Sequence, residues 1–480
     1  MAAYVLPASA EQRVVHPEYE EKPLPVVKHV TWRSFLREAA LMLWETNARA
    51  VAAGVLALPF IWWLSVMYSE ALKRTTMEDI VRRVDDVDTW VLDGFVELSG
   101  LVIVYPVDST LLTYVMRYAL FAPAAIIVPV VAPVVIARIN YGSKLVAGLG
   151  YTIFAPALLA SLGWWILVQE IPAAMDTRMP FFAPYFSFLV YIVVTLAIGW
   201  SVGRRLSDML GRRVASTRWT FPAPFISTAV VAFIYYVMIP RMMMQLSVYG
   251  QAAVRLFLHP LIYEVCIAVS RFATRAEMPK SDARLIFFIF PPMLLSSIYG
   301  RFLLMSGSPV FVYAITVVLG LFELALRLSV RQRDEAMYRL KHGKSAAKQI
   351  MSMPRATRMR CMIIAAEMCV ENTSIIVASA VIGFFGTTIA SGDSAPTAVG
   401  VLFQCLFQLF IEIIVDAIAL LVEGRWARLP VYGVWVQRYT FYFATYIFLC
   451  FTALLYFFTS GLSQFLCGKV IDGSLRTIYC

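Results

Sequence analysis

The chain has 480 residues, of which 60% are hydrophobic and only 15% charged, with seven cysteines and a formal net charge of +10. A water-soluble domain is nearer 45–50% apolar and about 25% charged, so this length is spent on membrane-crossing segments and their loops. No CxxC or Cys/His spacing of a metal site accompanies the basic charge, nor any nucleic-acid motif, and no cofactor-binding signature is present.

Residues 1–30 carry Pro7, Pro17, Pro23 and Pro25 without sustained periodicity and read as disordered. Nothing in the polar stretch 1–46 has the form of a signal peptide. Thr31 to Glu45 reads as a helix capped by Thr31, with Trp32, Phe35, Leu36, Ala39 and Leu43 on one face, as suits a helix lying in the membrane interface. A first span follows over about 49–68. Residues 70–112 are a long acidic connection with nine acidic and four basic residues. Within it, Thr75 and Glu78 form a capping-box pattern, and Ile80, Val84, Val87, Val91, Phe95 and Leu98 recur at helical spacing.

Ten further apolar segments fall at about 113–137, 145–168, 181–202, 221–240, 251–270, 284–305, 308–327, 361–390, 397–422 and 438–462. The expectation is therefore an all-α polytopic bundle of about eleven transmembrane helices, within a range of ten to twelve, occupying 47–465. The Pro291-Pro292 pair inside the seventh span marks it as the strongest candidate for a broken helix, against a simple kink.

Alternate connections are basic. The 203–220 and 271–283 loops carry arginines and lysine, and 327–360 holds ten basic against two acidic residues. Positive charge collects on the cytosolic side, which places the N-terminus and 327–360 in the cytosol. The 70–112 segment and the tail 466–480 then lie outside. The basic segment is expected to face anionic lipid headgroups. Cys467 and Cys480 share the short tail, where an oxidising compartment would allow a disulfide.

Several motifs fail. Gly343-Lys344-Ser345 lacks the first glycine of a phosphate loop, because Tyr338 stands there. The sequon at Asn372 lies inside the ninth span. His259 and Glu264 do not make a zinc-protease motif, and no nucleophile–base spacing is found, so no enzyme is expected.

What remains is intramembrane acidity. The tenth span carries Gln404, Gln408, Glu412 and Asp416 at four-residue spacing, a polar stripe on one face of an apolar helix. The ninth carries Glu367 and Glu371, the sixth Glu264 with His259, and the eighth Glu323. With ~1.5 Å of rise per residue, Glu371 and Glu412 lie ~16 and ~15 Å from the cytosolic ends of their helices, and Glu367 and Asp416 ~10 and ~9 Å. A short 391–396 connection makes these two helices antiparallel neighbours, so their carboxylates fall at two matched levels. Glu264 joins the shallower level and His259 the deeper, while Glu323, near the end of its span, is shallower still.

Carboxylates at such depth cannot all be ionised without partners, and ionisable groups inside a membrane mark pathways and relays. The function expected is a secondary transporter or channel-like permease for a cation or proton-coupled small solute, with Glu371, Glu412, Asp416, Glu367, His259, Glu264 and Gln408 along its path. The alternatives are a structural or scaffold protein whose carboxylates pair with Arg255, His259, Arg327 or the two glutamines, and a lipid transporter or scramblase.

Overall fold

The computed structural model describes residues 31–74, 102–103, 126–149, 153–167, 183–210, 217–235, 239, 246, 248–275, 286–305, 309–352, 354–389, 397–436, 439–465, 467–471 and 474–477. They form a helical bundle. Seven helices are long and apolar enough to cross a membrane: Trp32–Val66, Leu189–Met209, Val254–Thr274, Ile286–Leu304, Val312–Leu340, Ala356–Phe384 and Ala398–Gly424. Shorter apolar helices lie at Ile127–Tyr141, Ala155–Trp164 and Phe443–Leu455. This is the architecture of an integral membrane protein.

The elements used below are α1 (Trp32–Arg74), β1 (Val102–Ile103), α2 (Ala132–Tyr141), α3 (Ser143–Leu149), α4 (Ala155–Trp165), α5 (Ala183–Leu210), α6 (Ala223–Phe233) and α7 (His259–Arg275). They continue with α8 (Ile286–Met305), α9 (Pro309–His342), α10 (Lys344–Ser352), α11 (Pro354–Ile389), α12 (Ala398–Leu420), α13 (Val431–Val436), α14 (Tyr439–Phe465), β2 (Cys467–Ile471) and β3 (Ser474–Thr477).

The bundle is built around α8 and α11, which are buried on almost every side, whereas α7, α9 and α12 turn long apolar faces outward. Phe287, Phe288, Ile289, Met293, Leu294 and Leu295 are all at 0% exposure on α8. A helix apolar all round belongs in the middle of a membrane bundle. The outward residues of α12, among them Leu402, Phe403, Leu406 and Phe410, are the matching lipid-side surface.

The expected interfacial helix and first span are one element. Helix α1 runs without a break from Trp32 to Arg74, with Pro59 inside it. Its buried side runs through Phe35, Met42, Ala50, Ala53, Ala57, Ile61 and Leu64. That stripe lies on α11, where α1 makes its most extensive packing. Gly54 permits the approach, because a Cβ there would sit 2.6 Å from Ile376 Cγ2.

The Pro291-Pro292 pair does not break its helix either. Helix α8 is continuous from Ile286 to Met305. Two missing N–H donors are tolerated where neighbouring helices enclose the freed carbonyls, and α6, α7, α11 and α14 all pack on α8. Irregularity falls elsewhere, in π-helical turns at Ile127–Val131, Val254–Leu258 and Leu421–Trp426. The second of these delivers His259 and Pro260 into α7, and such turns recur at functional sites.

The basic segment 327–360 is the C-terminal part of α9, then Gly343 in the left-handed region (φ 85°), then α10 and the start of α11. Ala347 of α10 is buried, while Lys344 and Lys348 are exposed.

A three-stranded antiparallel sheet pairs β1 with β2 and β2 with β3. Val102 faces Gly468 and Ile103 faces Cys467. Ile471 pairs with Ser474. The sheet joins Val102 and Ile103, at the end of the acidic segment, to the strands of the tail. The amphipathic pattern over 78–98 lies outside the described residues, and so does the Cys467–Cys480 pairing, because Cys480 is not among them.

Candidate functional site

Four spanning helices, α8, α9, α11 and α12, converge on two arginines. Arg301 comes from α8, where it is the single charged residue between Ile286 and Met305. Its Nη2 lies 2.7 Å from Glu412 Oε2, 3.0 Å from Glu371 Oε2 and 3.4 Å from Glu323 Oε2. The three carboxylate oxygens lie within 4.8 Å of one another, close enough to share one cation, and the cation they share is this guanidinium. Two like charges at that separation repel by roughly 3 kcal/mol at an effective dielectric constant of ~20. The arginine therefore does more than neutralise one partner; it holds three like charges together.

Arg327, on α9, serves the second level. Its Nη1 is 2.6 Å from Asp416 Oδ1, its Nη2 2.6 Å from Glu412 Oε1, and its Nε 3.9 Å from Glu367 Oε2. Glu412 thus bridges the two arginines, one oxygen to each. Neutral donors complete the shell. Tyr263 and Ser297 donate hydroxyl hydrogens to Glu371 Oε1 at 3.4 and 3.3 Å, and the Asn372 amide donates to Asp416 Oδ2 at 3.4 Å.

The two matched carboxylate levels are present: Glu371 and Glu412 meet on Arg301, Glu367 and Asp416 on Arg327. One placement needs correction. Glu323 sits at the deeper level, on Arg301, and not shallower than the rest. Taking Arg327 as the end of its span gave the wrong depth, because Arg327 is itself inside the network and α9 runs on to His342.

Glu264 belongs to a separate cluster. It pairs with Arg333 and lies 3.6 Å from Arg271, which in turn lies 3.6 Å from Asp334. Here two acids meet two bases. In the central cluster, among the described residues, Glu323, Glu367, Glu371, Glu412 and Asp416 make their direct ion pairs with Arg301 and Arg327 alone, so full ionisation would leave three negative charges in excess of these two arginines.

Beside this network is a small cavity of about 40 Å³. Its walls include His259, Tyr263, Arg301, Glu323, Glu367 and Glu371. His259 is oriented through Nδ1 by the Tyr235 hydroxyl, and its Nε2 side lies on Gly300, where any Cβ would collide with the ring. Glu264 also lines the cavity; Gln408, Glu412 and Asp416 do not. Gln408 is fully buried, and its amide has no hydrogen-bond partner among the described residues.

The sequence reasoning missed Arg301, Arg271 and Arg333 as partners, and with them Tyr263, Ser297 and Asn372. For Arg301 a signal existed: one arginine in an otherwise apolar span is as costly as a lone carboxylate and calls for the opposite charge. Asn372 is fully buried, which explains why its sequon can carry no glycan in the folded chain.

No family model matches the chain, and no match was found among curated proteins or solved structures.

Proposed function

We propose that the protein is a secondary transporter or channel-like permease for a cation or a proton-coupled small solute. The observation that carries this reading is the excess of carboxylates over arginines beside a cavity whose wall includes several ionisable side chains, in the middle of membrane-crossing helices. Uncompensated buried charge is too costly to persist. A site with surplus carboxylates therefore takes up protons or a cation, and the cavity gives them access. Glu371, Glu367, His259 and Glu264 form the reachable wall, with Glu412 and Asp416 behind it as the anchors of the two arginines.

The N-terminus, α10 and the basic end of α9 belong in the cytosol on this reading, following the bias of lysine and arginine. The exposed Arg331, Arg339, Lys344 and Lys348 would lie against anionic headgroups there.

Flux in proteoliposomes across a panel of monovalent and divalent cations, with internal pH recorded in parallel, tests the proposal. The native protein should carry at least one of these ions, and Glu371→Gln should reduce that flux at least tenfold. Absence of protein-dependent flux for every ion and for protons would sink it. A second reading, a purely structural clasp, is favoured by the arginine contact that each central carboxylate makes. It predicts lost stability in Glu371→Gln and no flux in either protein.

A further inference from the structure

The central cluster has more carboxylates than its arginines can hold, and its members are not held equally. Glu412 has a guanidinium nitrogen within 2.7 Å of each oxygen. Asp416 has one at 2.6 Å and an amide on its other oxygen. Glu371 has one at 3.0 Å and two hydroxyl donors. These three are the carboxylates that the arginines and neutral donors hold most closely. Glu323 has a single arginine contact at 3.4 Å, on a nitrogen already shared by two shorter partners. Its side chain is also 24% exposed, against 1% for Glu412 and 7% for Glu371, and it stands in the cavity wall. Glu367 is weakly held too, 3.9 Å from Arg327, but its side chain is only 8% exposed.

From this ranking we infer that Glu323 is the proton-carrying residue of the site, protonated in the conformation described here and exchanging its proton with water in the cavity. This deepens the transport reading and rests on it for its purpose: it names the proton as the coupling ion. The groups facing Glu323 are Arg301 from α8, Arg327 from its own helix, His259, Tyr263 and Glu264 from α7, Glu367 and Glu371 from α11, and Glu412 and Asp416 from α12. The step is a simple one. A proton from cavity water bonds to a Glu323 carboxylate oxygen, and its release returns a carboxylate to the site. Ionised Glu323 then competes with Glu371 and Glu412 for the same Arg301 nitrogen. Proton occupancy is in this way tied to how tightly α8, α9, α11 and α12 are fastened together.

Infrared spectroscopy of the full-length protein in lipid tests the assignment without any assay of transport. The native protein at neutral pH should show the carbonyl stretch of a protonated carboxyl, shifted in D2O. Glu323→Gln, which copies the neutral form, should weaken that band by one carboxyl's share, and Glu367→Gln should leave the Glu323 share in place. Thermal unfolding gives a second readout: the native midpoint should fall as alkaline pH ionises Glu323, and Glu323→Gln should lose that dependence. A Glu323→Gln protein that keeps both the band at full strength and the pH dependence overturns the inference. Proteoliposomes separate the two ideas, because a native protein that shows the band but moves no ion leaves Glu323 protonated and refutes transport alone.

Discussion

Arg301 and Glu412 meet at 2.7 Å, and through this contact α8, at the middle of the bundle, is tied to α12, whose other side faces lipid. Removing one partner of a buried ion pair strands the other. Arg301→Met should therefore destabilise the protein by about 3–5 kcal/mol. Glu412→Gln should cost less, because its amide oxygen still accepts from Arg301. Thermal unfolding of the two variants in one detergent checks the order, and a milder effect for Arg301→Met than for Glu412→Gln would contradict it.

His259 rests against Gly300 with no room between them. Gly300→Ala should be strained by about 1–3 kcal/mol, the usual cost of overpacking. Pairing it with His259→Ala should recover most of that loss, since the new methyl then enters the space the ring leaves. A double variant no more stable than Gly300→Ala would place the strain elsewhere.

Helices α11 and α14 are joined at Tyr446, whose hydroxyl is 2.6 Å from Thr373 Oγ1 and donates to the Cys369 carbonyl at 3.0 Å. Tyr446→Phe removes these bonds and leaves the ring packing on Phe290 intact. The expected cost is about 1 kcal/mol. Denaturation of Tyr446→Phe beside a Thr373→Val, Tyr446→Phe double variant should show less than additive losses, the sign of a direct contact.

Strand pairing between Val102 and Gly468 predicts that these two positions share one side of the membrane. Cysteines introduced singly at Val102 and Lys469, in a chain freed of its native cysteines, should react with an impermeant maleimide from the same side of a sealed vesicle. Opposite sidedness would break the sheet.

The architecture was legible because apolar length is written locally: each of the seven long spans overlaps an apolar run visible in the sequence. The two carboxylate levels on α11 and α12 were legible for a similar reason, since both follow from counting residues along neighbouring antiparallel helices. Partner choice was not. Arg301 and Glu371 are 70 residues apart, and nothing local to either names the other. The depth of Glu323 was misjudged because an arginine normally marks the membrane edge, whereas Arg327 is neutralised within the bundle by Glu412 and Asp416. Continuity of α1 and of α8 was hidden likewise. Prolines and a change of polarity suggest breaks, but burial against α11 overrides both.

The spacing of the Arg301 partners also sets a timetable for synthesis. Glu323 follows Arg301 by 22 residues, Glu371 by 70 and Glu412 by 111. At ~5–20 residues per second, the arginine leaves the ribosome roughly 6–20 s before its closest partner exists. From the synthesis of residue 323 until that of residue 371, Glu323, one helix later, is the only one of the three carboxylates available to it. The longest of the three Arg301 contacts is thus the earliest, and it can escort the charged α8 into the bilayer until Glu371 and Glu412 arrive to take it over.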